Sequence, residues 1–209
     1  MNPVFFYVPN LIGYGRVVLC FCAYIVVFQS WQMFLVFYGL SQLLDAVDGW
    51  AARKLNQTSR FGAVLDQVTD RFSTAGLVVL VTMRYKAFYV AFISIIVLDF
   101  VSHWFHMYAS VALGNESHKT IPSHKVILKF YYEGPGVMFV AHACNEIFFL
   151  TLMCISLAES TQPEVAGIMR WTSCIVAPIM FFKQLTNLLQ LVDACSELAA
   201  LDLKATKRR

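Results

Sequence analysis

Six apolar stretches, each close to the length of a bilayer-crossing helix, limit what this chain can fold into. They cover about residues 11–28, 32–53, 62–81, 88–111, 136–157 and 167–192. About 20 predominantly apolar residues span hydrocarbon as an α-helix, the form that satisfies its own backbone amides there. Hydrophobic residues make up 58% of the 209 positions and charged residues 14%, and the mean hydropathy is +0.62. A soluble domain carries far more charge than this. The expectation is an all-α, polytopic integral membrane protein with six transmembrane helices, forming one domain over residues 1–209 with a basic tail at about 196–209. The net charge of +3 is small and confined to loops and tail, which argues against nucleic acid as a partner. The six cysteines match neither a zinc site nor a secreted disulfide framework. No basic residue precedes Arg16 and no cleavage site follows, so the first apolar run reads as a retained helix.

One polar stretch interrupts this pattern. It reads Asp45-x2-Asp48-Gly49-x2-Ala52-Arg53-x8-Gly62-x3-Asp66-x3-Asp70. Asp45 and Asp48 are three apart and Asp66 and Asp70 are four apart, so each pair shares one helix face. If the two helices lie side by side, four carboxylates meet across one gap. Carboxylates near a bilayer are costly, about 2.5 to 3.5 kcal/mol each at a helix centre on insertion scales. Hard divalent cations such as Mg²⁺ or Mn²⁺ would neutralise them. The alternative is a salt-bridge cluster with Arg53, Lys54, Arg60 and Arg71.

Other polar residues stand out against the apolar background. Pro9 can open the first helix, and Asn10 can offer its amide to a ligand. Arg16 either snorkels to the interface or faces the carboxylate gap or a phosphate. Gly49 leaves room for a ligand or for a neighbouring helix. Thr58 or Ser59 can cap the next helix or reach a phosphate. Asp99, His103 and His106 share a face and form either a buried hydrogen-bonded trio or a ligand set. Residues 112–134 read as the longest polar connection. Asn145 and Glu146 read as partners for neighbouring helices.

Basic residues give the orientation. Arg53, Lys54, Arg60, Lys119, Lys125, Lys129 and the tail's Lys204, Lys207, Arg208 and Arg209 fall on one side, against Arg84, Lys86 and Arg170 on the other. The excess marks the cytoplasmic face, which places both termini and the carboxylates there. The sequons at Asn56 and Asn115 would then carry no glycan.

Two metals beside a diphosphate can stabilise attacking and leaving oxygens, with Arg53 offsetting phosphate charge. One carboxylate can accept a proton from an incoming hydroxyl, and Asp70 lies deepest in its helix. The set therefore suits transfer from a diphosphate donor to an alcohol.

At every fixed position, the stretch from Asp45 to Asp70 resembles the signature of the CDP-alcohol phosphatidyltransferases. The Pro9-Asn10 start with Arg16 six residues on is similar to that family's N-terminal segment. Val8-Pro-Asn-Leu-Ile-Gly-Tyr, Arg60-Phe-Gly-Ala, Leu98-Asp-Phe-Val-Ser-His-Trp and Glu116-Ser-His-Lys119 resemble its inositol-using branch. The resemblance fades beyond about residue 160. It implies a six-helix fold, a homodimer, and conversion of CDP-diacylglycerol and myo-inositol to phosphatidylinositol and CMP. It also implies two divalent ions, Mg²⁺ or Mn²⁺: Asp45, Asp48 and Asp66 hold one, and Asp45, Asp66 and Asp70 the other. Asp70 would take the inositol proton. Gly49, Arg53, Ser59 and Gly62 would meet the donor's cytidine and phosphates, joined by Asn10. Glu116, His118 and Lys119 are candidates for inositol, since a polyol needs several hydrogen-bonding groups. The basic tail fits residence in the endoplasmic reticulum or Golgi. Competing readings are another acceptor such as glycerol 3-phosphate or serine, a CDP-choline donor, a divalent-cation transporter, and a structural membrane protein.

Overall fold

The computed structural model describes residues 2–114 and 126–206. All regular structure among them is helical: α1 Val8–Val26, α2 Trp31–Lys54, α3 Arg60–Arg84, α4 Tyr89–Ala112, α5 Val126–Glu133, α6 Val137–Ala158 and α7 Pro163–Thr206. Short 3-10 turns at Pro3–Phe6 and Lys86–Phe88 precede α1 and α4. The chain divides into two compact units, Met1–Arg84 with Leu150–Arg170, and Tyr85–Phe149 with Trp171–Arg209.

In the first unit, α1 packs on both α2 and α3. Its buried stripe runs Pro9, Asn10, Gly13, Arg16, Cys20 and Ala23, the three-and-four spacing of one helix face. Phe34 and Tyr38 from α2 and Leu77, Val78 and Val81 from α3 complete the core. A Cβ on Gly76 would lie 2.5 Å from the Tyr24 ring, so a glycine there lets α1 and α3 approach. The Tyr24 hydroxyl then donates to the Ser73 carbonyl at 2.8 Å.

Local signals set the helix ends. Ser30 Oγ accepts the Met33 N–H at 3.3 Å and starts α2. Past its end, Asn56 adopts φ 53, a left-handed conformation that asparagine tolerates. Ser59 then accepts the Gly62 N–H at 2.9 Å and starts α3. The reversal between Asp48 and Asp66 is therefore short and capped at both sides.

In the second unit, buried polar residues join the helices. Asp99 of α4 accepts from the Lys183 ammonium and from Asn187 Nδ2 at 3.0 Å. Gln184 Nε2 donates to Asn145 Oδ1 at 2.8 Å. Gln190 Nε2 donates to the Tyr132 hydroxyl at 2.6 Å, and the Tyr132 ring stacks on His106 with centroids 6.1 Å apart. Positions 183, 187 and 190 recur at helical spacing, so one face of α7 carries these contacts.

Among the described residues, four helical segments are long and apolar enough to cross a membrane: Val8–Val26, Lys86–Ala112, Val137–Ala158 and Pro163–Thr206. Against the expectation of six, α2 and α3 fall outside this set. At 24 and 25 residues they have the length, but Asp45, Asp48, Arg53 and Lys54 in α2 and Asp66, Asp70 and Arg71 in α3 lower their apolarity. Two further boundaries differ. Helix α5 forms inside the stretch expected to be a polar connection, because Leu128 and Tyr131 give it a buried face. Helix α7 continues through most of the expected tail.

Candidate functional site

The four aspartates converge, and α1 supplies what lies between them. Arg16 Nη1 sits 2.9 Å from Asp48 and 2.9 Å from Asp66. Its Nη2 sits 2.6 Å from Asp45 and 2.6 Å from Asp70. Each nitrogen thus links one carboxylate of α2 to one of α3. The arginine side chain is fully buried, while those of Asp45 and Asp66 are 44% and 46% exposed. Of the two environments left open for Arg16, the carboxylate gap is the one it occupies. Of the basic residues in the salt-bridge alternative, Arg53 is exposed and the Lys54 ammonium lies over the Trp50 ring at 4.4 Å, while Arg71 acts on Asp70.

One guanidinium lies between four carboxylates, and Arg71 is near enough to act on Asp70, so the acidic groups outnumber the cations around them. Buried charge without compensation is strongly unfavourable. Each aspartate gives Arg16 one of its two oxygens. Asp45, Asp48 and Asp66 can each present a carboxylate oxygen so that the three lie within 4.8 Å of one another. An all-oxygen, anionic donor set with surplus negative charge and partial solvent access fits a hard divalent cation. Asp70 stands outside this trio and shares the Arg16 Nη2 nitrogen with Asp45.

Beside the cluster opens a cavity of about 180 Å³. Asp48 and Asp66 line it together with Asn10, Gly49, Arg53, Ser59 and Gly62, so all five residues expected to meet the donor border one space. Asn10 is buried and its Nδ2 donates to the Val4 carbonyl at 2.6 Å, which leaves Oδ1 facing Gly62. A Cβ on Gly62 would lie 2.7 Å from that oxygen and 3.0 Å from Ser59 Oγ. Gly49 differs: the nearest atom to a Cβ there is Arg53 Nη1 at 3.5 Å. Among the described residues, no neighbouring helix comes within 4 Å of that point. Thr58 also borders the cavity, but Ser59 is the hydroxyl that caps α3. Gln57 Oε1 accepts the Val8 N–H at 2.8 Å and ties the reversal to the start of α1.

Glu116, His118 and Lys119 lie outside the described residues. Asp99 belongs to the second unit and is engaged by Lys183 and Asn187. Lys183 as the partner of Asp99 escaped the sequence reading, which for Arg16 had left the carboxylate gap open as one alternative. The available signal was a cation inside an apolar run, which requires a partner wherever it is buried.

A site of this kind can hold a polyanion through bound cations, with an exposed arginine and the first amides of α3 beside it. Comparison with known proteins agrees. A family model described as CDP-alcohol phosphatidyltransferase matches residues 6–179. The chain is 40% identical to the human CDP-diacylglycerol–inositol 3-phosphatidyltransferase, covering 95% of this chain and 94% of that protein. It is 41% identical to the enzyme of that name from Saccharomyces cerevisiae, over 96% and 90%. For the one from Schizosaccharomyces pombe the figures are 38%, over 96% and 92%. No solved structure matches. With the aspartate signature converging in space and the family model covering most of its length, this chain belongs to the CDP-alcohol phosphatidyltransferase family.

Proposed function

We propose that this protein transfers the phosphatidyl group of CDP-diacylglycerol to myo-inositol, giving phosphatidylinositol and CMP. The observation that carries the reading is the carboxylate cluster opening onto a cavity bordered by Asn10, Gly49, Arg53, Ser59 and Gly62. The printed names of the relatives support the choice of acceptor.

Asp45, Asp48 and Asp66 would hold one Mg²⁺ or Mn²⁺ ion, and Asp45, Asp66 and Asp70 a second. Bound divalent ions supply positive charge against a diphosphate and stabilise oxygens that gain charge in phosphoryl transfer. The chain's own residues do the rest. Arg53 pairs with phosphate oxygens, Asn10 and Ser59 orient the nucleotide part, and Gly49 and Gly62 leave room for it. An inositol hydroxyl oxygen attacks the phosphorus that bears diacylglycerol. The bond from that phosphorus to the bridging oxygen breaks, and CMP leaves. Asp70 accepts the hydroxyl proton. Glu116, His118 and Lys119 hydrogen-bond the other inositol hydroxyls.

The proposal includes six membrane spans in one catalytic domain. Val36, Leu40, Leu43 and Val47 on α2 and Val64, Val68, Val79 and Met83 on α3 are exposed apolar side chains, which suit lipid contact. It places the site on the cytoplasmic face of the endoplasmic reticulum, from the basic loops, and takes the homodimer from the family. Cross-linking in native membranes tests the dimer. Labelling of single cysteines beside Asn56 from the cytosolic side tests the orientation.

The central test uses purified protein with CDP-diacylglycerol and labelled inositol, glycerol 3-phosphate or serine. CMP release that depends on inositol is expected. Use of glycerol 3-phosphate without inositol would overturn the assignment of acceptor.

A further inference from the structure

We infer that Arg16 is a built-in counter-cation of the aspartate cluster, a positioning residue that keeps the four carboxylates convergent before any divalent ion arrives. This rests on the metal-dependent reading above and goes beyond it, because Arg16 is neither a ligand to the ions nor a member of the aspartate signature.

A buried arginine in an apolar helix is satisfied by one bidentate carboxylate. Here the guanidinium is divided among four. Nη1 joins Asp48 to Asp66 and Nη2 joins Asp45 to Asp70. Both pairs cross from α2 to α3, so the arginine fixes the spacing of two helices as well as the charges on each. Its own place is fastened from behind. Ser41 Oγ of α2 donates to the Arg16 carbonyl at 3.0 Å and lies 3.1 Å from Cys20 Sγ. This bond fixes the Arg16 backbone against α2, while the four carboxylates hold its guanidinium.

The charge balance gives the arginine a second consequence. Two divalent ions would offset the four carboxylates, and Arg16 adds a further positive charge toward an anionic diphosphate. Because each aspartate spends one oxygen on Arg16 and retains another, ions and arginine share the cluster. The arginine holds the site together when ions are absent, and ions substitute for much of its holding role when it is removed.

The test compares full-length wild type, Arg16→Lys and Arg16→Met, purified in detergent. Thermal unfolding is followed in EDTA and in Mn²⁺, and bound Mn²⁺ is read by electron paramagnetic resonance. In EDTA, Arg16→Met is expected to melt well below wild type. Mn²⁺ should raise its midpoint about twice as much as it raises that of wild type, since ligand binding to the folded state stabilises it. Arg16→Lys should fall between. KM for CDP-diacylglycerol should rise in Arg16→Met by a larger factor than kcat falls. Equal loss of midpoint in EDTA and in Mn²⁺ would make Arg16 a packing element and overturn the proposal. If Arg16→Met does not fold even in Mn²⁺, the same comparison on Arg16→Lys decides. Failure of the underlying reading looks different: wild type itself would bind no Mn²⁺ and release no CMP with inositol.

Discussion

Asn10 Oδ1 stands 2.7 Å from the point where a Cβ on Gly62 would lie. The two residues are on different helices, and both border the cavity that Asp66 also lines. Gly62→Ala must push Asn10 off its bond to the Val4 carbonyl or displace the Ser59 cap. Overpacking of this kind costs roughly 1 to 3 kcal/mol. The expected outcome is a lower melting temperature together with an increase in KM for CDP-diacylglycerol, read by thermal unfolding and CMP release.

Gly49 offers the contrast. A methyl group there meets only the Arg53 guanidinium at 3.5 Å, so Gly49→Ala should keep or raise stability, by up to about 1 kcal/mol, because alanine is the better helix former. If the space belongs to the donor, KM for CDP-diacylglycerol rises. Unchanged kinetics in a correctly folded Gly49→Ala protein would remove Gly49 from the donor site.

Asp70→Asn keeps the shape of the side chain and removes its capacity to accept a proton. A general base contributes about 10²- to 10⁴-fold to rate, so kcat should fall by that order while CDP-diacylglycerol still binds. Loss of binding with kcat unchanged would argue against the role of base.

Removal of divalent ions by EDTA should abolish CMP release, and Mg²⁺ or Mn²⁺ should restore it, because the cluster offers carboxylate oxygens in excess of the cations around it. Full activity in excess chelator would refute the metal assignment.

The Asp99–Lys183 pair is a separate test of stability. Both side chains are buried. Lys183→Met leaves a buried carboxylate with only its remaining partners, and breaking such a pair costs about 3 to 5 kcal/mol. The double substitution Asp99→Asn with Lys183→Met should recover much of that loss, measured by thermal unfolding in detergent.

How far the sequence reading reached depended on the range of each interaction. The spacing of Asp45 with Asp48 and of Asp66 with Asp70 placed each pair on one helix face. Ser59 and Pro9 marked helix starts, and the apolar runs marked most of the helices. The short helix from Val126 to Glu133 was hidden, because eight residues beside lysines and histidines are too short a run to stand apart from a polar connection. The apolar runs at α2 and α3 read as spans, yet their charged residues keep both helices out of the four long, apolar segments.

Local sequence by itself determined an all-helical, strongly apolar chain and the pairing of carboxylates along α2 and α3, since these follow from periodicities of three and four residues. Only tertiary structure decided that Arg16 enters the gap, that Lys183 answers Asp99, and that Asn10 meets Gly62. Arg16 is separated from its partners Asp48, Asp66 and Asp70 by 32, 50 and 54 residues, and Lys183 from Asp99 by 84. No periodicity reaches across such distances. What joins these groups is the packing of helices against one another and the need of every buried charge for a partner.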